Sequence, residues 1–227
     1  MFPVVLLSLI SSAAFLVAAS QPQPFRRPLV FEPNRGQTSA QVKWLARGSG
    51  YQIFVTDDGI TVKISEGAPE PSVVNSNPIL HQSPEPVFAP QAVNYSLLQM
   101  QLSGGHSWQE MTGLDPTGGV SNYAGRDGKS TITNVPHYAR LRVAGVYQGI
   151  DMVLYSRDGE LEYDFLVAPE ADPRQIRMAF RGMKEMHVDK KSGDLVLTTA
   201  AGSELRHVRP KSLPADRWSA SRSCWRI

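Results

Sequence analysis

The sequence predicts an all-β fold, an antiparallel β-sandwich-like domain with a proline-rich loop. Polar and apolar residues alternate at strand period along most of the chain, and no window of eleven or more residues carries an i, i+3, i+4, i+7 apolar stripe. Short β-rich runs are separated by Gly, Pro, Asp and Asn, the spacing of sandwiches and barrels. Asp57-Asp58-Gly59 joins two such runs. Asp-Gly there signals a hairpin, because glycine takes a positive φ without strain.

Strands are expected at Leu29–Phe31, Val42–Ala46, Tyr51–Val55 and Ile60–Ile64, with Gly48-Ser49-Gly50 linking the second to the third. Residues 65–92 change character: Pro69, Pro71, Pro78, Pro84, Pro86 and Pro90 fall among Ser, Asn, Gln and Glu. Proline removes amide donors and Ser and Asn compete for backbone bonds, so this stretch is expected to be a flexible loop. Alternation resumes at Val93–Leu102, followed by a turn-rich piece centred on Asp115-Pro116-Thr117-Gly118-Gly119. Further strands are expected at Tyr138–Val143, Ile150–Tyr155 and 160–167, the last two joined through Arg157-Asp158-Gly159. In 160–167 Leu161, Tyr163 and Phe165 face one way and Glu160, Glu162 and Asp164 the other. A loop over 168–175, a strand over 176–182, a hairpin into Leu195–Thr199 and a last strand at Glu204–Val208 complete the domain, which spans 25–207.

The chain has 227 residues, 41% hydrophobic and 19% charged, enough for one cored domain. A net charge of +2 with no basic run argues against nucleic acid as partner. Residues 1–20, "MFPVVLLSLISSAAFLVAAS", are uncharged, apolar and end in small residues, the pattern of a signal peptide covering 1–19. Export to the cell surface or medium is the expectation, with no stable membrane span after cleavage. Arg26 and Arg27 would instead suit an uncleaved anchor, but the apolar run is short of the roughly 20 residues a span needs. The lone cysteine, Cys224, excludes an internal disulfide and a CxxC site.

Two clusters could carry chemistry. In "FEPNRGQ", residues 31–37, Glu32 and Arg35 with Asn34 and Gln37 could grip a ligand, since Arg holds carboxylates through paired hydrogen bonds. Pro, Asn and Gly also make a turn with no ligand in view, and that reading is preferred. Asp151, Glu162 and Asp164, with Glu160, flank one expected hairpin. Two carboxylates at such spacing could hydrolyse a glycosidic bond, but alternating acids are ordinarily the solvated face of a half-buried strand. The five histidines are dispersed, without HxH or HExxH spacing, and no Gly-x-Ser-x-Gly elbow occurs. No metal, cofactor or catalytic residue is therefore expected. Tyr51, Tyr123, Tyr138, Tyr147, Tyr155, Tyr163 and Trp44 recur in strands. They could stack on sugars, though core packing is the commoner use.

"FEPNRGQTSAQVKWLARGSGYQIFV" (31–55), "NYAGRD" (122–127), the stretch 133–182 with its Asn-Val-Pro, Tyr-Gln-Gly-Ile-Asp, Leu-Glu-Tyr-Asp-Phe and Ala-Asp-Pro steps, and "GDLVLTTAAGSELR" (193–206) carry a resemblance. Over roughly residues 28–207 the chain resembles the N-terminal domain of unknown function of bacterial SBBP-type β-propeller repeat proteins, which are exported. The resemblance implies export, an all-β fold and a surface setting, and no reaction. It also implies that the chain stops before the repeats. Arg209-Pro210 keeps a trace of the family's continuation, but "KSLPADRWSASRSCWRI" shows no alternation. Residues 208–227 are thus expected to be a divergent, out-of-frame or disordered tail.

The functional expectation is a non-catalytic extracellular module that helps display or assemble a surface protein. Its partners would be the propeller repeats of the same protein or other surface components. The alternative is a carbohydrate- or polymer-binding module taking polysaccharide through aromatic and Arg/Asp loop residues, with Glu32, Asn34, Arg35, Gln37, Asp151, Glu162 and Asp164 as the ligand-binding candidates. A glycoside-type hydrolase built on the 151–164 acids comes third.

Overall fold

The computed structural model of the chain describes residues 28–66, 94–124, 131–212 and 220–226. The strands are β1 (Phe31–Pro33), β2 (Val42–Arg47), β3 (Tyr51–Thr56), β4 (Gly59–Glu66), β5 (Asn94–Leu102), β6 (Met111–Ala124), β7 (Thr131–Tyr147), β8 (Ile150–Arg157), β9 (Glu160–Val167), β10 (Met178–Arg181), β11 (Glu185–Val188), β12 (Leu195–Thr198), β13 (Glu204–Ser212) and β14 (Ala220–Arg226). A single 3-10 turn, Pro173–Gln175, is the one helical element among the described residues. None of their helices is long and apolar enough to cross a membrane.

All pairings are antiparallel and run in the order β10-β5-β4-β3-β2-β1-β7-β8-β9-β14-β13-β12-β11, with β6 off this path on β7. The two ends of the path, β10 and β11, are consecutive in the chain and separated only by Gly182, Met183 and Lys184. The sheet therefore curls until its ends approach, giving a sandwich-like all-β domain around one apolar core.

Alternation fixes which side chains enter that core. In β3, Tyr51, Ile53 and Val55 are buried while Gln52, Phe54 and Thr56 are only partly so. Register then stacks Ile53 on Val62 and Leu98, and Val55 on Ile60 and Met100. Across the core, Leu154 pairs with Tyr163 and Met152 with Phe165, all inaccessible. Burying each such side chain stabilises the fold by about 1.5–3 kcal/mol. Gly59 opens β4 at φ +150°, and a Cβ there would lie 2.2 Å from the Met100 carbonyl oxygen, so the Asp-Gly turn is set both by backbone and by space.

Tyrosine hydroxyls tie the two layers together. Tyr51 donates to the Gly159 carbonyl at 2.7 Å. The Tyr147 hydroxyl lies 3.1 Å from the Ser103 carbonyl and 3.0 Å from that of Arg177. Tyr163 reaches Met178 Sδ and the buried His207. The aromatics weighed as a sugar platform thus include three that are core ties, each at most 4% exposed.

Several expectations are corrected. The turn foreseen at Asp115–Gly119 is a bulge inside β6, between Pro116 and Val120. β6 has a partner on one side only, so Pro116 costs it no ladder bond on the other. β7 starts at Thr131, seven residues before the alternation that announced it. β11 is the first arm of the hairpin expected to lead into Leu195–Thr199, an arm to which the sequence assigned no range. β14 was not foreseen: the tail carries a strand seated between β9 and β13, where no apolar alternation marks one. Backbone pairing needs no such pattern. β4 continues to Glu66, into the stretch expected to be a loop, and the remainder of 65–92 lies outside the described residues, as does the 1–19 leader.

Candidate functional site

The FEPNRGQ segment is a turn stitched by its own side chains. The Asn34 amide donates to the carbonyls of Val42 at 2.7 Å and Ser39 at 2.8 Å. Its Oδ1 accepts from the Gly36 amide at 3.0 Å. Gln37 Oε1 accepts from the Arg35 amide at 2.6 Å while its Nε2 donates to the Pro33 carbonyl at 2.8 Å. Gly36 takes φ +109°, where a side chain would be strained. Arg35 reaches across to the Asn134 carbonyl on β7 at 3.2 Å. Asn34, Arg35 and Gln37 therefore direct polar atoms at backbone, the behaviour of a structural turn.

Glu32 behaves differently. Strand alternation turns it away from Phe31, onto the outer side of β1, where β6 and β7 cover it to 4% exposure. There its Oε1 accepts from Ser121 Oγ at 3.1 Å and from Arg47 Nη1 at 3.3 Å. The Tyr123 hydroxyl donates to Oε2. Arg47 also donates to the Tyr123 hydroxyl at 2.6 Å and lies over its ring, 5.1 Å from the centroid. His137 Nε2 stands 2.7 Å from Ser121 Oγ and 3.6 Å from Glu32 Oε1. Burial, and then the bond to Glu32, raise the Tyr123 hydroxyl pKa above its ordinary value.

Ser, His and Glu in contact invite comparison with a nucleophile triad, and the geometry does not match one. In a triad the acid holds one imidazole nitrogen while the other takes the serine proton. Here Ser121 and Glu32 both meet Nε2. Ser121 has one hydroxyl proton, and with it on Glu32 the 2.7 Å contact requires His137 to present Nε2–H. A protonated Nε2 cannot act as base toward Ser121. The group is a charge-assisted fastening that holds the β6–β7 hairpin on β1 and β2. The sequence pointed to Glu32, and to Tyr123 only as a stacking aromatic; it did not single out Arg47, Ser121 or His137. The spacing of Ser121 and Tyr123, two apart like residues on one strand face, was the available signal once β6 was known to be a strand.

The other acids form a separate set on the outer face of β7, β8 and β9. Asp151 Oδ2 accepts from Arg142 Nε at 3.0 Å and Nη2 at 2.6 Å, and Oδ1 from the Gly145 amide at 2.8 Å. Glu162, 6% exposed, is bridged to Arg157 at 3.4 Å. Asp164 accepts from the Tyr155 hydroxyl at 3.1 Å. Burial, and then the charges of Asp164 and Glu162, raise the Tyr155 pKa, so this phenol stays neutral. Each carboxylate thus meets a donor supplied by its own or an adjacent strand. Among the described residues, no group of three or more His, Cys, Asp or Glu could hold a metal ion. The side chain of Cys224 and the position of His81 lie outside the described residues.

Against known families, residues 31–213 match the model described as Domain of unknown function (DUF7948). No curated protein and no solved structure matches.

Proposed function

The chain belongs to the DUF7948 family, a domain of unknown function, and from that premise we propose that it is a non-catalytic β module of an exported protein, serving structure and display outside the cell. The observation that carries this reading is the state of its candidate carboxylates. Glu32, Asp151, Glu162 and Asp164 each accept from or pair with an internal donor, and Ser121 and Glu32 share one imidazole nitrogen. A catalytic carboxylate needs reach toward a reacting atom, in addition to its supports. Export rests on the uncharged apolar stretch that opens the chain. The setting we assign is the head of a longer surface polypeptide with β-propeller repeats, on the motif resemblance over 31–55 and 133–182.

The test has two arms. The full chain is expressed with its leader in a diderm bacterial host, and the product is located and sequenced from its N-terminus. A product beginning near residue 20 outside the cytoplasm supports the reading; an intact leader on a cytoplasmic product sinks the export half. The purified product is then incubated with a broad polysaccharide panel. Release of reducing ends that Glu162→Gln or Asp164→Asn abolishes would overturn the non-catalytic half.

A further inference from the structure

The outer face of β3, β4 and β5 presents side chains that the core does not use. Register sets Phe54, Thr61 and Gln99 in one row across the three strands and Gln52, Lys63 and Leu97 in the next. Tyr95 follows Leu97 on the same face, about 7 Å further along the strand. Leu97 is 46% exposed and Tyr95 56%. Large apolar side chains this open are few among the described residues, and two of them are neighbours here. A groove of about 530 Å³ opens on this face, with Val42, Phe54, Ile60, Leu97 and Met100 as its apolar lining and Gln41, Thr61, Gln99, Gln101, Asp57 and Asp58 among its polar lining. Charges on and beside it are mixed in sign. Lys43 is paired with Asp57 at 3.3 Å, and the Lys63 ammonium lies over the Tyr95 ring, 4.4 Å from its centroid.

These features select among occupants. A polyanion would need several free cations of one sign. A second copy or an apolar peptide would bury a continuous apolar patch, but here Thr61 and Lys63 on β4 separate Phe54 from Leu97 and Tyr95. Sugar rings match the pattern. They present C–H faces to aromatic and aliphatic surfaces, and rims of hydroxyls that both donate and accept. Glutamine amides likewise both donate and accept, and Tyr combines an apolar body with a polar tip.

We propose that the outer face of β3–β4–β5 binds a neutral polysaccharide, with Phe54, Tyr95 and Leu97 as stacking surfaces and Gln52 and Gln99 bonding its hydroxyls. This gives the display module a ligand class, resting on that reading for its extracellular setting. Its named contacts lie on β3 and β5, and Glu32, Asn34, Arg35, Gln37 and the 151–164 acids are not among the residues that line the groove.

Affinity electrophoresis of the full chain tests it, in native gels containing mixed-linkage β-glucan, amylopectin, galactomannan or arabinoxylan, with polygalacturonate as the charged comparison. Retardation by at least one neutral polymer is expected. It should weaken at least tenfold in a Tyr95→Ala/Leu97→Ser variant and, separately, in Gln99→Ala, whose side chain is exposed and leaves the fold untouched. Retardation by none of the four, by polygalacturonate alone, or to the same extent in both variants overturns the proposal. So does a change from dimer to monomer on substitution, which would make the face a self-association surface. The same samples are assayed for reducing ends. Their release sinks the non-catalytic reading and leaves the binding face standing, whereas no retardation and no release sinks the face alone.

Discussion

At the residue scale, Glu32 is the side chain whose role is most distinctive. A carboxylate at 4% exposure is tolerated only when paired and hydrogen-bonded, and Arg47, Ser121 and Tyr123 supply those bonds. Glu32→Ala strands three donors and should cost about 2–4 kcal/mol by urea unfolding. Tyr123→Phe should cost about 1–2 kcal/mol. In a double-mutant cycle the two should couple by about 1 kcal/mol or more, and strict additivity would show that the pair does not act together. His207 makes a separate prediction. Burial against Tyr163 and Phe180 lowers its pKa from 6.5 to about 4. The unfolded chain therefore binds a proton between these values that the folded chain refuses. Stability should be full above pH 6.5 and fall as pH drops toward 4, by up to about 3 kcal/mol. His207→Gln should be less stable at neutral pH but nearly flat through that window. An equally sloped variant would place the titration elsewhere.

At the element scale, the β6–β7 hairpin is the part that most needs explaining, since β6 has no partner but β7 along the sheet. Cross-strand packing holds its base: a Cβ on Gly113 would fall 2.5 Å from the Tyr138 ring, so the ring lies flush on the glycine. Tyr138 in turn meets Trp44 edge to face at 5.5 Å. Gly113→Ala should push Tyr138 off Trp44 and cost about 1–3 kcal/mol, visible as a lowered Tm and a changed near-UV spectrum. An unchanged Tm would mean the ring has another place to go. β6 also shows where legibility in the sequence ends. Strands β2 to β4 and β7 to β9 were readable because one face of each is buried, which forces alternation. β6 and β11 are exposed along most of their length, so burial imposes no pattern on them. The site shared this fate. The turn chemistry of Asn34 and Gly36 was legible because it is local, whereas two of the partners of Glu32, Ser121 and Tyr123, lie about ninety residues away on the unread strand.

At the scale of the whole molecule, the decisive element is β14. It stands between β9 and β13, with Ala220 opposite Leu166, Ser223 opposite Tyr163, and Trp225 opposite His207. Nothing in its alternation announces it, yet it occupies an interior place in the sheet. Removing it would open two unpaired edges in mid-sheet, next to Tyr163 and Phe165, which are at most 1% exposed. Unpaired interior backbone loses ladder bonds on both sides and offers edges for aggregation. Ending the chain after Ser212 should therefore abolish cooperative unfolding or lower Tm by at least 10 °C, with material lost to aggregates on gel filtration. Replacing Ser221 and Ser223 by Thr, which suits strands and keeps the backbone bonds, should leave Tm within a few degrees. If the shortened chain melts like the full one, β9 and β13 must pair without β14, and the two halves of the sheet would then join directly.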